Sequence, residues 1–399
     1  MQTRFAREEE DIMKKVLLGT SALIAAAAIS APAMAQEQIQ LGIGGKMEQY
    51  FGVTSFDDTA GTDLNTTGID TDTEVYFTGA TTLDNGLTVG AVIQLEAEVV
   101  QGAAVADEQY AYIEGAFGRI TAGEVNGVGG RLAHVAPAFG LAKGDVEDWT
   151  GQAPGMGRFN SNETTWSADD ASISYVTPSL AGFSAGVTYT PTPGSALLNN
   201  NVQTSATTRE THDGLQAAIA YNGEFSGVGI GADVAYEQQT ADDVVGGQDF
   251  EDLKRWRAGL VLSYAGFQFG GSYLETDNLT GANTGTIGGV ALTSYDEDAY
   301  AWDIGAGYTV GPYGVSLTYS ATNAELAGSA VGATASADSD YQQLNLNGTY
   351  DLGPGITLAG SVFWAESETE ATTTVGGVTT TASTDTDGTG AVVGLQLSF

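Results

Sequence analysis

The clearest indication of the fold is the carboxyl-terminal stretch at residues 388–399, GTGAVVGLQLSF. Apolar side chains occupy every second position from residue 391 to residue 399, and the polar Gln396 and Ser398 lie between them. A period of two is typical of a β-strand with one apolar and one polar face. The chain stops on the aromatic Phe399, with no turn or tail after it. We therefore predict a terminal β-strand here.

The same alternation recurs from residue 38 onward, in segments separated by turn residues such as Asp84-Asn85-Gly86. There are sixteen such segments. The connections between them alternate in length between short turns and long loops, and one long loop is predicted at residues 371–387. Short turns on one side and long loops on the other are typical of a transmembrane barrel. Aromatic residues near segment ends, Tyr50 among them, predict two interfacial belts. We predict an all-β fold: a 16-stranded antiparallel transmembrane β-barrel.

The composition is acidic and rich in glycine. The 399 residues include 50 Asp and Glu against 13 Lys and Arg, which gives a formal net charge of -37. This balance argues against binding of nucleic acid, whose phosphates attract basic residues. It fits either a solvated or halophilic surface or an electrostatic field that attracts cations. The absence of Cys excludes disulfides, thiolate metal sites and Cys nucleophiles.

The amino terminus has the pattern of a secretory leader. Lys14 and Lys15 precede an apolar run at residues 16–29, and Ala33-Met34-Ala35 follows it. We predict a cleaved signal peptide at residues 13–35, with residues 1–12 a misassigned extension upstream of the true start. The mature chain, residues 36–399, is expected to be one barrel domain.

Residues 124–171 interrupt the alternation. This stretch has neither a sustained period of two nor a convincing helical pattern, and it contains several Gly and Pro residues. A loop of this length in a compact fold is either evidence against the assignment of strands or a functional loop.

Taken together, several stretches resemble a general bacterial porin of the alphaproteobacterial type. They are the signal peptide, GRITAGEV at 118–125, the long excursion after it, SISYVTPSLAGFSAGVTYTP at 172–191, and the terminal LQLSF. The resemblance covers residues 36–399. It implies an outer-membrane barrel, usually a homotrimer, that passes small hydrophilic solutes and ions by diffusion. It also implies that the long loop folds into the lumen and narrows it.

In general porins, acidic residues of this loop face basic residues of the barrel wall. By face parity, the inward basic residues of this chain are Lys46, Arg255 and Arg257, although pairing with carboxylates near the rim is an alternative role for the two arginines. Positive charge is sparse amid so much negative charge, so we predict a preference for cations. The acidic candidates for the constriction loop are Glu124, Asp145, Glu147, Asp148, Glu163, Asp169 and Asp170.

A second group of acids is predicted in or beside the outer loops: Asp338, Asp340, Asp385 and Asp387. They are either a solvated face or ligands for Ca²⁺, since hard cations prefer clustered oxygen atoms. A calcium ion there would bridge to lipopolysaccharide, which together with outer-membrane lipid is an expected partner. No cofactor is otherwise required.

Other classes of function remain as alternatives. A substrate-selective channel would show an aromatic or basic ladder along the lumen, and a barrel adhesin or structural protein would act through its outer loops. A secreted Ca²⁺-binding solenoid would show a short internal repeat. Gly182-Phe183-Ser184-Ala185-Gly186 matches the G-x-S-x-G pattern of hydrolases, but that elbow requires a strand-to-helix turn. We expect a strand here and no enzyme activity.

Overall fold

The computed structural model describes residues 39–56, 65–97, 106–139, 149, 169–193, 211–241, 251–278, 286–291 and 294–399. The predicted extension and signal peptide lie outside these residues. Strands dominate the described part of the chain, and one short helix, α1 (Val128–Arg131), follows the fifth strand.

The strands are numbered in chain order. They are β1 (Gln40–Phe56), β2 (Thr67–Thr82), β3 (Thr88–Glu96), β4 (Ala106–Gly115), β5 (Gly118–Glu124), β6 (Ala171–Val176), β7 (Phe183–Thr190), β8 (Thr211–Phe225), β9 (Val228–Ala241), β10 (Leu253–Tyr264), β11 (Phe267–Asp277), β12 (Thr286–Ile287), β13 (Val290–Ala291), β14 (Ser294–Val310), β15 (Tyr313–Ala330), β16 (Ala333–Gly353), β17 (Ile356–Val375) and β18 (Val378–Ser398).

Sixteen of these strands form one closed antiparallel barrel, as the sequence predicts. Each strand pairs with its neighbours in chain order, and β1 pairs with β18 to close the ring. The short strands β12 and β13 form a separate hairpin between β11 and β14. Closure leaves the sixteen described barrel strands without a free edge of unpaired backbone groups, which is the condition for a sheet to exist in lipid.

The terminal stretch quoted first is the strand that closes the barrel. Val393 pairs with Phe51 on β1, and the last residue is held by two backbone hydrogen bonds. Gly45 N donates to Phe399 O at 2.8 Å, and Phe399 N donates to Gly45 O at 3.1 Å. Val393 and Leu395 are exposed on the outer face, whereas Val392 and Gly394 are buried on the inner face.

The outer face of the barrel is apolar and uncovered by protein. Leu260, Ile304 and Val362 are 47%, 44% and 57% exposed on three different strands. A water-soluble monomer rarely exposes apolar patches of more than a few hundred Å², so this band fits contact with lipid. In the described residues, no helix is long and apolar enough to cross a membrane.

Aromatic rings form two belts on this outer face. Near the short turns, Phe267 and Tyr308 have ring centroids 4.3 Å apart. Towards the other strand ends, Trp302 and Tyr319 are 5.2 Å apart. Tyr50 departs from the predicted belts, because it points inward and is only 2% exposed.

The prediction of a long outer loop at residues 371–387 is wrong. There β17 and β18 continue as a regular hairpin that turns at Gly376 and Gly377, whose φ angles of 60° and 82° suit a tight turn. Threonine hydroxyls bond across the ladder, as between Thr374 and Thr379 at 2.9 Å. The threonines that suggested a polar loop are good strand residues. Strands of 20 and 21 residues are longer than a membrane needs, so this hairpin projects beyond the apolar band.

The G-x-S-x-G match lies where the sequence predicts it, at the start of a strand. Ser184 is the second residue of β7, and six further strand residues follow it. The geometry of a hydrolase elbow is therefore not formed at this match.

Candidate functional site

The segment at residues 125–139 enters the barrel after β5 and follows its inner wall. It includes α1, and its backbone donors are bound by inward-facing side chains of successive strands. Val128 N donates to Thr188 Oγ1 on β7 at 3.0 Å, and Gly129 N donates to Gln216 Oε1 on β8 at 3.1 Å. Polar wall residues thus satisfy amide groups that no sheet or helix pairs.

The strongest attachment of this segment is at His134, Asp233 and Arg257, which we call the polar clamp. His134 N donates to Asp233 Oδ1 at 2.6 Å, and Arg257 Nη1 donates to Asp233 Oδ2 at 2.5 Å. Arg257 Nη2 also donates to His134 O at 3.0 Å. The His134 ring reaches Asn222 Oδ1 through Nε2 at 2.9 Å. The clamp therefore fixes both the backbone and the side chain of His134.

The segment continues along the wall to β15. Ala136 N donates to Asp303 Oδ1 on β14 at 3.0 Å, and Thr318 Oγ1 on β15 donates to Pro137 O at 2.8 Å. Phe139 N donates to Ser316 Oγ at 3.0 Å. In 15 residues the segment is thus bonded to strands from β7 to β15, so it lines the wall as an arc.

One position of the inner wall lacks a side chain at the point where the segment passes closest to the wall. At Gly259 on β10, an added Cβ would lie 1.9 Å from His134 O. Any larger residue would collide with the backbone of the segment. The absence of a side chain at this position therefore allows the close approach that the polar clamp requires.

Glu124 belongs to the wall and not to the loop. Strand β5 ends at Glu124 and β6 begins at Ala171, so the predicted boundaries of 124 and 171 are each one residue too wide. Glu124 is buried and accepts a hydrogen bond from Gln109 Nε2 at 2.5 Å. The cause is the pairing of Glu124 with Gln109 and Ala171, which extends the ladder to its last residue.

Carboxylates lie close together at the end of the predicted loop that precedes β6. Asn126 Nδ2 lies 3.3 Å both from Glu108 Oε1 on β4 and from Asp169 Oδ1. Burial, together with the negative charges of Asp107 and Glu108, raises the pKa of Asp169 to about 7. Asp170 is buried beside it. The predicted loop acids Asp145, Glu147, Asp148 and Glu163 lie outside the described residues.

Lys46, a predicted wall residue, faces inward between two carboxylates. Its Nζ lies 2.8 Å from Asp72 Oδ2 and 2.7 Å from Glu74 Oε1, both on β2. The carboxylates of Asp72, Glu74 and Glu96 approach one another within 4.8 Å, which is the one such acidic group in the described part of the chain. The ammonium group of Lys46 neutralises part of this charge.

The two predicted wall arginines also face inward, and both meet carboxylates. Arg255 Nη1 lies 3.9 Å from Glu237 Oε2, and its side chain is largely buried. Arg257 is 1% exposed because the segment at residues 125–139 covers it. It holds this segment to the wall and has almost no surface left for solutes.

Arg119 and Arg131 lie close to each other near the inner wall, where no role was predicted for them. The Arg119 guanidinium lies 3.8 Å from the centroid of the Tyr112 ring. Arg131 Nη1 donates to Ser174 Oγ at 3.0 Å, and burial, assisted by the nearby charge of Arg119, lowers the pKa of Arg131. The alternation of Arg119 with the outward Ile120 was a signal that could have placed it on the inner face.

The acids predicted in or beside the outer loops all lie within strands. Asp338 and Asp340 belong to β16, Asp385 and Asp387 to β18, and all four are exposed. Asn323 Nδ2 donates to Asp338 Oδ1 at 2.7 Å and to Asp340 Oδ1 at 3.0 Å. The tight turns that extend β15 to β18 convert the predicted loops into a projecting sheet.

A family model and several solved structures of porins are similar to this chain. A family model described as Gram-negative porin matches residues 22–370. A search of curated proteins found no match. Among solved structures, the anion-selective porin from Comamonas acidovorans is 17% identical, with a TM-score of 0.56 over 91% of this chain and 100% of that chain.

Two further solved structures share the fold. OmpT of Vibrio cholerae in its trimer form is 12% identical, with a TM-score of 0.54 over 91% of this chain and 100% of that one. OmpF of Salmonella typhi, in complex with daunomycin, is 18% identical, with a TM-score of 0.54 over 90% and 97%. The family match covers most of the sequence, and the barrel with its lipid-facing band indicates the outer membrane. The chain therefore belongs to the Gram-negative porin family of outer-membrane diffusion channels.

Proposed function

We propose that this protein is a non-catalytic diffusion porin that passes small hydrophilic solutes and prefers cations. One observation carries the preference: positive groups on the inner face are engaged by carboxylates or buried, while acidic groups are in excess. Lys46 lies between Asp72 and Glu74, and Arg257 is covered by the segment it binds. A lumen with a net negative wall raises the local concentration of cations.

The excess is visible strand by strand on the inner face. Acidic side chains there belong to β1, β2, β3, β4, β9 and β14, and to the turn before β6. They include Glu48, Asp72, Glu74, Glu96, Glu108, Asp169, Asp170, Asp233, Glu237, Glu297 and Asp303. The basic side chains of the described wall and segment are Lys46, Arg119, Arg131, Arg255 and Arg257.

The similarity to an anion-selective porin does not weigh against this proposal, because a similarity at 17% identity supports a shared fold and not a shared ion selectivity. Selectivity depends on the sign and placement of a few charges in the lumen. In this chain those charges are mostly negative, in line with the whole-chain charge of -37.

We also propose a homotrimer in which the outer face of β1 to β5 contacts the neighbouring copies. Gly79, Ala91, Ala111 and Ala122 form a cross-strand row of small residues on that face. The ring pairs in the described residues instead lie between β7 and β16. A face of small residues, with no aromatic ring pair among its described residues, suits protein contact better than contact with lipid. The trimeric form of OmpT from Vibrio cholerae agrees with this proposal.

The exposed acids of β16 to β18 are proposed to face lipopolysaccharide. Asp387 pairs across the ladder with Glu366, and Asp385 pairs with Glu368. Two anionic surfaces approach only when cations lie between them, so a divalent ion such as Ca²⁺ would bridge these carboxylates to the lipid phosphates.

Liposome swelling tests the channel itself. Purified protein is reconstituted and diluted into isotonic solutions of neutral sugars of increasing size. We expect swelling whose rate falls smoothly with solute size, and none in liposomes without protein. Swelling for one sugar out of size order would instead indicate a substrate-selective channel. No swelling with the smallest sugar would contradict the porin proposal and favour an adhesin or structural barrel.

A further inference from the structure

Trp149 is a second point at which the stretch between β5 and β6 touches the wall. Its side chain is 9% exposed and packs with Tyr50 of β1, Phe363 of β17 and Val392 of β18. These three residues point into the barrel, where a water-filled lumen would favour polar side chains. An apolar cluster on the inner wall therefore needs an explanation.

The floor of this cluster is formed by glycine. Gly52 of β1 pairs with Gly68 of β2 on one side and with Val392 on the other. An added Cβ at Gly52 would lie 2.4 Å from Trp149 Cζ3, and one at Gly68 would lie 3.0 Å from the same atom. The indole thus lies flat on a bare patch of backbone.

The walls of the cluster are aromatic. Tyr50 lies one inward position before Gly52 and above Gly394, and Phe363 lies above Gly390 on the opposite side. We call Tyr50, Gly52, Gly68, Phe363 and Val392 the aromatic socket. Four glycines on three adjacent strands, Gly52, Gly68, Gly390 and Gly394, leave room for three rings, and so the shape of the socket matches a large planar side chain.

Packing, and not hydrogen bonding, retains the ring. Within the described residues, the buried indole Nε1 of Trp149 has no hydrogen-bond partner. A buried donor without a partner opposes burial, so the apolar contacts must outweigh it. Phenylalanine would keep much of this contact and would remove the unpaired donor.

We propose that Trp149 is a positioning residue that latches the stretch between β5 and β6 to the wall of β1, β2, β17 and β18. The polar clamp holds this stretch on one side of the barrel, and the latch holds it on the other. In the pore proposed above, the latch then sets the bore. Truncation of a buried Trp to Ala costs enough to lower the ratio of docked to undocked side chains by about 100-fold or more.

Cysteine labelling measures whether the Trp149 ring is docked on the wall, and it does not depend on ion conduction. The chain has no Cys, so V392C places a single thiol beneath the indole. We expect slow modification by a methanethiosulfonate reagent in V392C, and roughly 100-fold faster modification in V392C/W149A, because labelling follows the undocked fraction. V392C/W149F should stay close to V392C. Equal rates in V392C and V392C/W149A would overturn the proposal.

Single-channel recording measures the effect of the latch on the conductance and size cutoff of the pore. W149A removes the ring, and G52A fills the floor of the aromatic socket. The pores of both variants should have a higher conductance and admit larger polyethylene glycols. W149F should restore the wild-type values. G348A is the matched control, since an added Cβ there has only one neighbour, at 3.9 Å. Heat-modifiable migration on gels checks that each barrel is folded.

The two assays separate the two proposals. A wild-type protein that conducts, with W149A, G52A and wild type alike in conductance and in polymer cutoff, would overturn the role of the latch in the bore. A wild-type protein that does not conduct would overturn the porin proposal, while the labelling rates would still decide whether Trp149 docks.

Discussion

The polar clamp and the aromatic socket hold the same stretch of chain by opposite chemistry. In the clamp, Asp233 and Arg257 bind the backbone of His134 through directional, charged hydrogen bonds. In the socket, Trp149 is held by ring packing over glycine, with its one polar atom unpaired among the described residues. A clamp fixes register, because each bond has one partner. A socket fixes depth, because its contacts depend on shape.

The largest expected effect is loss of the clamp. R257A leaves Asp233 as a buried charge without its main partner, which should destabilise the barrel by about 3–5 kcal/mol. Denaturant unfolding in detergent measures this, with the exposed K254A as a control expected within about 0.5 kcal/mol of wild type. The double variant D233A/R257A should lose less than the sum of the two single variants. Strict additivity would show that the pair does not act as a unit.

Gly259 offers a steric way to open the clamp. In G259A the new methyl group meets His134 O, so the segment must shift or the strand must bend, at a cost of about 1–3 kcal/mol. The same unfolding experiment applies, with G348A as the matched control. Because the socket is separate, labelling of V392C should not change in G259A. A large increase in that rate would show that clamp and socket are coupled.

Proton binding at Asp169 should alter selectivity without opening either attachment. The pKa of Asp169 is raised to about 7, so docking of this turn is favoured below the ordinary range of Asp and weakens as pH rises through 7. Acidification from pH 8 to pH 6 also removes negative charge from the lumen. Cation preference, measured as reversal potential, should therefore fall over this range in wild type. D169N should show a flatter profile, and an unchanged profile would contradict the assignment.

The smallest effect is expected at the projecting sheet. D385N/D387N removes two exposed acids that touch neither attachment, so the free energy of unfolding without calcium should change by less than about 0.5 kcal/mol. If Ca²⁺ binds there, wild type should gain stability on its addition and the variant should gain less. Equal gains in both proteins would remove these acids from any calcium site.

The barrel itself could be predicted from the sequence because its period of two is carried by every strand. The prediction failed at residues 371–387, where threonine and glycine suit a loop and a strand equally and only the register decides. It failed at Tyr50 for a similar reason. An aromatic residue near a strand end has the same pattern whether it faces lipid or a socket.

The candidate site could be predicted in outline only. Parity placed Lys46, Arg255 and Arg257 on the inner face, but it carried no information on what covers them. The burial of Arg257 depends on contacts between residues 123 positions apart, from His134 to Arg257. The glycines of the socket are also visible in the sequence, yet their purpose appears only when Trp149 lies over them.

Reversal potential under a KCl gradient, measured with purified protein in a planar bilayer, tests the proposed channel and its preference for cations. We predict large conductance steps in multiples of three and a potential that favours K⁺, because the inner face carries more carboxylates than free cations. A potential that favours Cl⁻ would contradict the charge argument and direct attention to Lys46, Arg119 and Arg131. An absence of conductance would contradict the channel itself.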